Sequence, residues 1–206
     1  MTFPIQRILR DTRILLGRNA CDRSLILACD TDTLHLDQLI ISKIERAARE
    51  VASEAQTVDL APGVPLRTAL EWPEGVGRGM AIMPLPDDFL RLLRVRLSDW
   101  RRPARIIGDN EPMARWQASR FHGIRGNPER PVAVITLQHT GRVAELYASY
   151  AGSQVRIHEA IYMPLPRIRE HALDFPERLY EQLVKRIAVL TANTFQQPLL
   201  SPFQDL

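Results

Sequence analysis

The sequence predicts an α+β fold in which N-terminal helices precede a small antiparallel β-sheet of four to six strands, and a closing C-terminal helix leads into an extended tail. Apolar residues recur at the helical period near the start of the chain and again after residue 175. Between residues 89 and 162 they alternate with polar residues, which is the period of a strand with one buried face. This order of periods predicts helices that flank a sheet.

Three segments are predicted to be helical, over residues 4–16, 36–54 and 175–194. In each of them, apolar residues spaced three or four positions apart share one face. Pro4 suits the first turn of the first helix, and Gly17 suits its end. The N-terminal helices are therefore expected to pack on one another.

The strand predicted over residues 89–97 joins the helical part of the chain to the extended part. Val95 and Leu97 alternate with Arg94 and Arg96, so one face is apolar and the other carries guanidinium groups. Prolines at positions 84 and 86 exclude a helix immediately before it.

Further strands are predicted over residues 132–138, 142–149 and 154–162. A tight turn at residues 139–141 links the first two, and the three segments are short and close in sequence. Because consecutive strands usually pair, an antiparallel meander is the economical arrangement. The strand over 89–97 and a short one over 80–83 would complete the sheet.

The chain is predicted to form a single domain over residues 1–195, followed by an extended interaction tail over residues 196–206. The domain comprises a helical part (4–54), a linker rich in proline and glycine (60–86), a β-rich part (80–162) and the closing helix (175–194). Two prolines exclude a regular element from the tail, yet its leucines and phenylalanine are too apolar for free solvation. The tail either folds back on its own domain or lies in a groove of a neighbouring subunit.

Arginine dominates the basic residues. Of the 27 lysines and arginines, Lys43 and Lys185 are the only lysines. The planar guanidinium group suits carboxylates, phosphates and protein interfaces, although a coding bias would give the same abundance. No apolar run is long enough to cross a bilayer, so no membrane partner is expected.

The residue patterns that mark enzymes and metal sites are not found, and we predict no catalytic, metal-binding or cofactor-binding residue and no cofactor. The five histidines are scattered singly, and Cys21 and Cys29 lack the neighbours of a zinc site. The glycine-rich stretch at 75–79 lacks the lysine and hydroxyl residue of a phosphate-binding loop.

Basic and aromatic residues are interleaved between residues 111 and 131, where Trp116 and Phe121 lie among several arginines. Such a mixture can bind nucleic acid through phosphate contacts and stacking. An arginine-rich nucleic-acid-binding accessory protein is therefore an alternative function, and an enzyme or regulatory module is a further rival.

The turn and strand at Leu85-Pro-Asp-Asp-Phe-Leu-Arg-Leu92, after N-terminal helices, resemble the head-to-tail adaptor (connector or neck-ring) proteins of tailed bacteriophages. The similarity is greatest to the first neck-ring protein of crAss-like and related Bacteroides phages and covers roughly residues 3–195. It rests on the order of six further stretches: Asp32–Asp37, Ile41–Arg49, Ser98–Pro103, Phe121–Pro128, Pro131–Ile135 and Leu179-Tyr180.

The resemblance implies a virion structural protein that forms a ring in the neck, between portal and tail, around the DNA exit channel. Its partners would be further copies of itself, twelve in that family, the portal protein and the next neck or tail component. Double-stranded DNA would pass through the channel without sequence-specific recognition. The protein would be found in the host cytoplasm during assembly and then in the virion.

Candidate interface residues are chosen from residue type and position alone, not carried over from a known site. Arginine and tryptophan are frequent energetic anchors of interfaces, and exposed apolar tail residues can dock on a neighbour. The candidates are Trp72, Arg101, Arg102, Arg105, Leu199, Leu200 and Phe203.

Overall fold

The computed structural model confirms the predicted α+β class. It describes residues 1–17, 31–73, 79–119, 121, 123–147 and 155–196. Within that part of the chain, no helix is long and apolar enough to cross a membrane. Cys21, Cys29 and the predicted tail with Leu199, Leu200 and Phe203 lie outside the described residues.

Four helices and ten strands are found in the described ranges. In chain order they are β1 (Thr2–Pro4), α1 (Ile5–Leu15), α2 (Thr31–Glu54), β2 (Val64–Pro65), β3 (Met80–Pro84), β4 (Phe89–Leu97), β5 (Arg105–Gly108), α3 (Pro112–Gln117), β6 (Val132–Gln138), β7 (Gly141–Tyr147), β8 (Ile157–Pro164), β9 (Ile168–Arg169), β10 (Ala172–Asp174) and α4 (Tyr180–Gln196). A single 3-10 turn (Glu177–Leu179) precedes α4.

The chain divides into two compact units, and the sequence of unit 2 interrupts that of unit 1. Unit 1 comprises Met1–Ala61 and Pro166–Leu206, and unit 2 comprises Pro62–Leu165. The helices predicted over 4–16, 36–54 and 175–194 all belong to unit 1 and correspond to α1, α2 and α4.

Unit 1 is built from three helices that pack on one another and a small antiparallel sheet of order β1-β10-β9. Apolar residues at helical spacing on α2 (Ile40, Ile44) and α4 (Leu183, Ile187) are fully buried. Alanines 47, 48 and 52 of α2 are also fully buried, and such small side chains allow a neighbouring helix to approach closely.

An aromatic cluster joins the first strand of unit 1 to its helices. The rings of Phe3 and Tyr180 stack with centroids 4.3 Å apart, and the Arg7 guanidinium lies 4.9 Å from the Tyr180 ring centre. The Tyr180 hydroxyl donates a 2.7 Å hydrogen bond to Asp11 Oδ2. Burial, followed by this carboxylate, raises the pKa of Tyr180.

Unit 2 contains two sheets. The four-stranded sheet has the order β3-β7-β6-β5 and is antiparallel except for the parallel pair β5–β6. The three-stranded sheet has the order β2-β8-β4. Their apolar faces share a core that includes Trp100, Leu97, Val95 and Leu146. The predicted strands over 80–83 and 89–97 are confirmed as β3 and β4.

The predicted meander is wrong in its third strand. β6 and β7 form the expected hairpin, but β8 pairs with β4 and β2 instead of β7. The free side of β7 is occupied by β3. The long strand β4 takes β8 as its partner and places buried Val95 opposite buried Ala160. The strands predicted for one sheet are therefore divided between two.

Gly63, just before β2, is a position where a side chain would be costly. Its φ is +67°, and a Cβ there would lie 2.7 Å from both Ile161 Cγ2 and Leu93 Cδ1 and 3.0 Å from the Tyr162 carbonyl oxygen. Gly63→Ala is expected to lower the free energy of unfolding of unit 2 by about 2–4 kcal/mol, because backbone strain and steric overlap add. Tryptophan fluorescence in a denaturant titration measures this change, since all three tryptophans belong to unit 2.

Gly17→Ala is the matched control. Gly17, just after α1, has nearly the same φ, +68°, but no heavy atom lies within 4 Å of its would-be Cβ. The variant should cost only the backbone strain, about 1–2 kcal/mol, measured on unit 1 by far-UV circular dichroism. Equal losses for the two variants would contradict the close packing around Gly63.

A second prediction concerns the alkaline stability of unit 1. Because the pKa of folded Tyr180 is raised, the unfolded chain releases the phenol proton first as the pH rises above about 10. Stability should therefore fall above that pH, and Tyr180→Phe should reduce the fall while keeping the ring stack. Far-UV circular dichroism of denaturant unfolding at about pH 9 and about pH 11 tests this. The same alkaline loss in both proteins would refute it.

Candidate interaction site: an arginine-lined groove

A cavity of about 540 Å³ opens on unit 2 beside β5, α3 and the loop before β6. We call it the arginine groove. Its described lining residues are Arg102, Pro103, Ala104, Arg105, Met113, Trp116, Gln117, Gly123, Ile124, Arg125, Gly126, Asn127, Arg130, Pro131 and Val132. Its walls are thus cationic and apolar.

The first wall is the segment that leaves β4 and enters β5. Trp100 is buried in the core, which anchors the start of this segment. The backbone N–H of Arg101 then donates to the Pro128 carbonyl at 3.1 Å, and that of Arg105 donates to the Pro131 carbonyl at 2.9 Å. We call residues 101–105 the arginine segment. These two hydrogen bonds hold it against the loop before β6, which forms the opposite wall of the groove.

The second wall is the short helix α3. Glu111 precedes it, and its carboxylate accepts a 3.0 Å hydrogen bond from the Gly108 N–H at the end of β5. Pro112 occupies the first turn, where a missing N–H costs no hydrogen bond. A tight turn therefore connects β5 to α3 and brings Met113 and Trp116 to the groove.

Gln117 ties α3 to the loop that closes the groove. The residue is 2% exposed; its amide nitrogen donates to the Met113 carbonyl at 3.1 Å, and its amide oxygen accepts the Gly126 N–H at 2.7 Å. The Gly126 N–H is buried, so it needs this acceptor.

An asparagine turn shapes the remainder of that loop. Asn127 Oδ1 accepts hydrogen bonds from the backbone N–H groups of Glu129 (3.0 Å) and Arg130 (2.8 Å). Asn127 and Arg130 also form an antiparallel backbone bridge. The loop is therefore held by specific hydrogen bonds on both sides of the groove.

Positive charge is concentrated in the groove. Arginines 102, 105, 125 and 130 line it, and none of its described lining residues is acidic. Arg101, next to the groove, pairs with Glu129 at 3.0 Å, although both side chains are well exposed. Among the described residues, the side chains of Arg102, Arg105 and Arg130 have no hydrogen-bond or ion-pair partner.

Large apolar side chains are exposed beside these charges. Trp116 is 55% exposed and Ile124 52%, and Phe121 nearby is also exposed. Unpaired arginines next to an exposed tryptophan form a surface that can bind an anionic partner and bury apolar area with it. In the described part of the chain, no group of three or more metal-binding side chains is found.

The structure separates the residues predicted from sequence. Arg102 and Arg105 line the groove, and Arg101 lies next to it in an ion pair. Trp72 is half-buried against the core of unit 2 and does not line the groove. The tail candidates Leu199, Leu200 and Phe203 are outside the described residues.

Several groove residues were not among the sequence-based candidates. Trp116, Arg125 and Arg130 belong to the basic and aromatic stretch between 111 and 131, which was the signal available for them. Gln117 gave no such signal, because its importance arises from burial and from two hydrogen bonds. No family model matches the sequence, and no curated protein is significantly similar to it.

Replacement of Gln117 by methionine tests the support of the groove. Gln117→Met keeps the size of the side chain but leaves the buried Gly126 N–H without its acceptor, which should cost about 1–3 kcal/mol. Hydrogen exchange of the Gly126 amide should accelerate, and unit 2 should unfold at lower denaturant concentration. Gln6→Met, on an exposed position of α1, is the control and should change neither. An unchanged Gly126 exchange rate in Gln117→Met would contradict the assignment.

Proposed function

We propose that this protein is a phage virion structural protein, a head-tail adaptor that forms a ring in the neck between portal and tail. Two kinds of support lead to this proposal. The order of sequence motifs from the N-terminal helices to Tyr180 resembles that of neck-ring proteins. Unit 2 carries an exposed, preorganised surface with the residue types of protein interfaces, the arginine groove.

The arginine groove is the observation on which an assembly role depends most. Its loop is held by Gln117 and Asn127, so little conformational entropy is lost when a partner binds. Arg102 and Arg105 are available for carboxylates of a neighbour, which adds specificity to an interface. In a closed ring, each subunit presents one surface to a different surface of the next, so a groove needs only one complementary segment per neighbour.

In the proposed ring, DNA leaves through the channel without sequence-specific recognition by the protein. The partners are further copies of the chain, the portal protein and the next neck or tail component. The virion neck is the proposed final location. No cofactor is involved in this role, since it consists of binding and geometry.

A nucleic-acid-binding accessory protein is the second candidate. The same arginines lie beside Trp116 and Phe121, whose exposed rings could stack on bases. This candidate predicts that the free chain binds DNA and that the affinity falls steeply with salt. The adaptor role predicts that the free chain binds DNA only weakly at moderate salt.

Size-exclusion chromatography with mass measurement, followed by negative-stain imaging, tests the proposal. The purified chain should form a closed ring, alone or on the portal of the same phage; a ring of the chain alone should have a mass that is a whole multiple of 23.5 kDa. A chain that remains monomeric with and without portal, and that binds DNA tightly at about 0.15 M salt, would refute the adaptor role in favour of the second candidate.

A further inference from the structure

We propose that the arginine groove binds an acidic peptide segment of a partner protein, with one apolar side chain of that segment in the cavity and flanking carboxylates on Arg102, Arg105 and Arg130. This inference rests on the proposed assembly role and deepens it by naming the chemistry of the partner.

The size of the groove fits one anchoring side chain and its flanks. A volume of about 540 Å³ lies within the range of pockets that hold a compact ligand. The apolar side chains of Met113, Trp116 and Ile124 line it together with Val132. A leucine or aromatic side chain of the partner would remove these side chains from water.

The unpaired arginines of the groove indicate that acidic residues flank the apolar anchor of the peptide. The guanidinium groups of Arg102, Arg105 and Arg130 have no acidic partner among the described residues, and all three side chains are exposed. Ion pairs on an open surface contribute little, but a bidentate arginine–carboxylate pair beside an apolar contact is partly removed from water. When the apolar residue of an acidic segment covers the groove, the neighbouring arginine–carboxylate pairs are partly removed from water.

The mixed lining favours a peptide over a nucleic acid. Phosphates of a duplex would contact the arginines and leave Trp116 and Ile124 in water, because the outer face of a duplex offers no apolar side chain for the cavity. A single strand could stack a base on Trp116, so single-stranded DNA is the competitor to be tested. One short peptide segment can contact both the arginines and the apolar side chains of the groove.

The shape of the groove does not have to be formed during binding. The Gln117 bond to Gly126 and the Asn127 turn hold the loop that carries Ile124 and Arg130. A preorganised site loses less conformational entropy than a loop that orders on contact. The segment is therefore expected to bind the free full-length chain detectably.

Fluorescence anisotropy with the full chain tests the inference. The probe is a labelled peptide of about ten residues with one central leucine between glutamates, a length that covers such a groove. One matched peptide replaces the leucine by serine, and another replaces the glutamates by glutamines. Each change should weaken binding by at least about fivefold, because the anchor and the carboxylates bind different walls.

Variants of the chain assign the binding to the groove. Arg105→Glu and Arg130→Glu should each weaken peptide binding by about tenfold, because each replaces an attractive arginine–carboxylate pair by two carboxylates that repel each other. Trp116→Ala should weaken it by at least about fivefold. Arg67→Glu, which changes another exposed arginine of unit 2 that does not line the groove, should leave peptide binding unchanged. Thermal unfolding of each variant confirms that it is folded.

Three results would overturn the inference. The first is failure of the acidic peptide to bind, and the second is an equal loss of peptide binding in Arg67→Glu and in the groove variants. The third is tighter binding of a single-stranded or duplex DNA of matched charge, lost in the same groove variants, which would assign the groove to nucleic acid. Ring formation is measured separately by mass, so a ring that ignores the peptide would refute this inference without refuting the adaptor role.

Discussion

The buried amide of Gln117 is the contact on which the candidate site depends most. It lies at the end of α3 and accepts the Gly126 N–H of the facing loop while its nitrogen donates within its own helix. A segment without regular secondary structure keeps one shape only when its buried polar groups find partners. Gln117 supplies that partner, and the Asn127 turn and the two bonds from the arginine segment supply the others. The groove is a consequence of these few hydrogen bonds.

Local periodicity was enough to predict the class and most of the elements. The alternation in residues 89–97 corresponds to β4, and the run from Val132 to Gln138 is β6 with the predicted bounds. Strand pairing could not be predicted in the same way. β8 lies next to β7 in sequence but pairs with β4, since the free side of β7 is taken by β3, and that choice depends on distant residues. Sequence proximity therefore predicted the hairpin and failed for the next strand.

The candidate site was predicted in part, for a similar reason. Arg102 and Arg105 were chosen from residue type and position, and the structure places both in the groove. Trp72 has the right residue type for an interface, yet it packs half-buried against the core of unit 2. Trp116 and Arg130 reach the groove only through the turn after β5 and the loop before β6. Composition identifies such residues, but tertiary structure decides which of them share a surface.

Hydrogen–deuterium exchange tests whether the arginine groove is a contact surface in the proposed assembly. The free chain is compared with the chain after addition of the proposed portal and neck partners. We expect backbone amides between residues 101 and 132 to exchange more slowly after addition than in the free chain. Protection confined to other parts of the chain, with exchange around the groove unchanged, would contradict it.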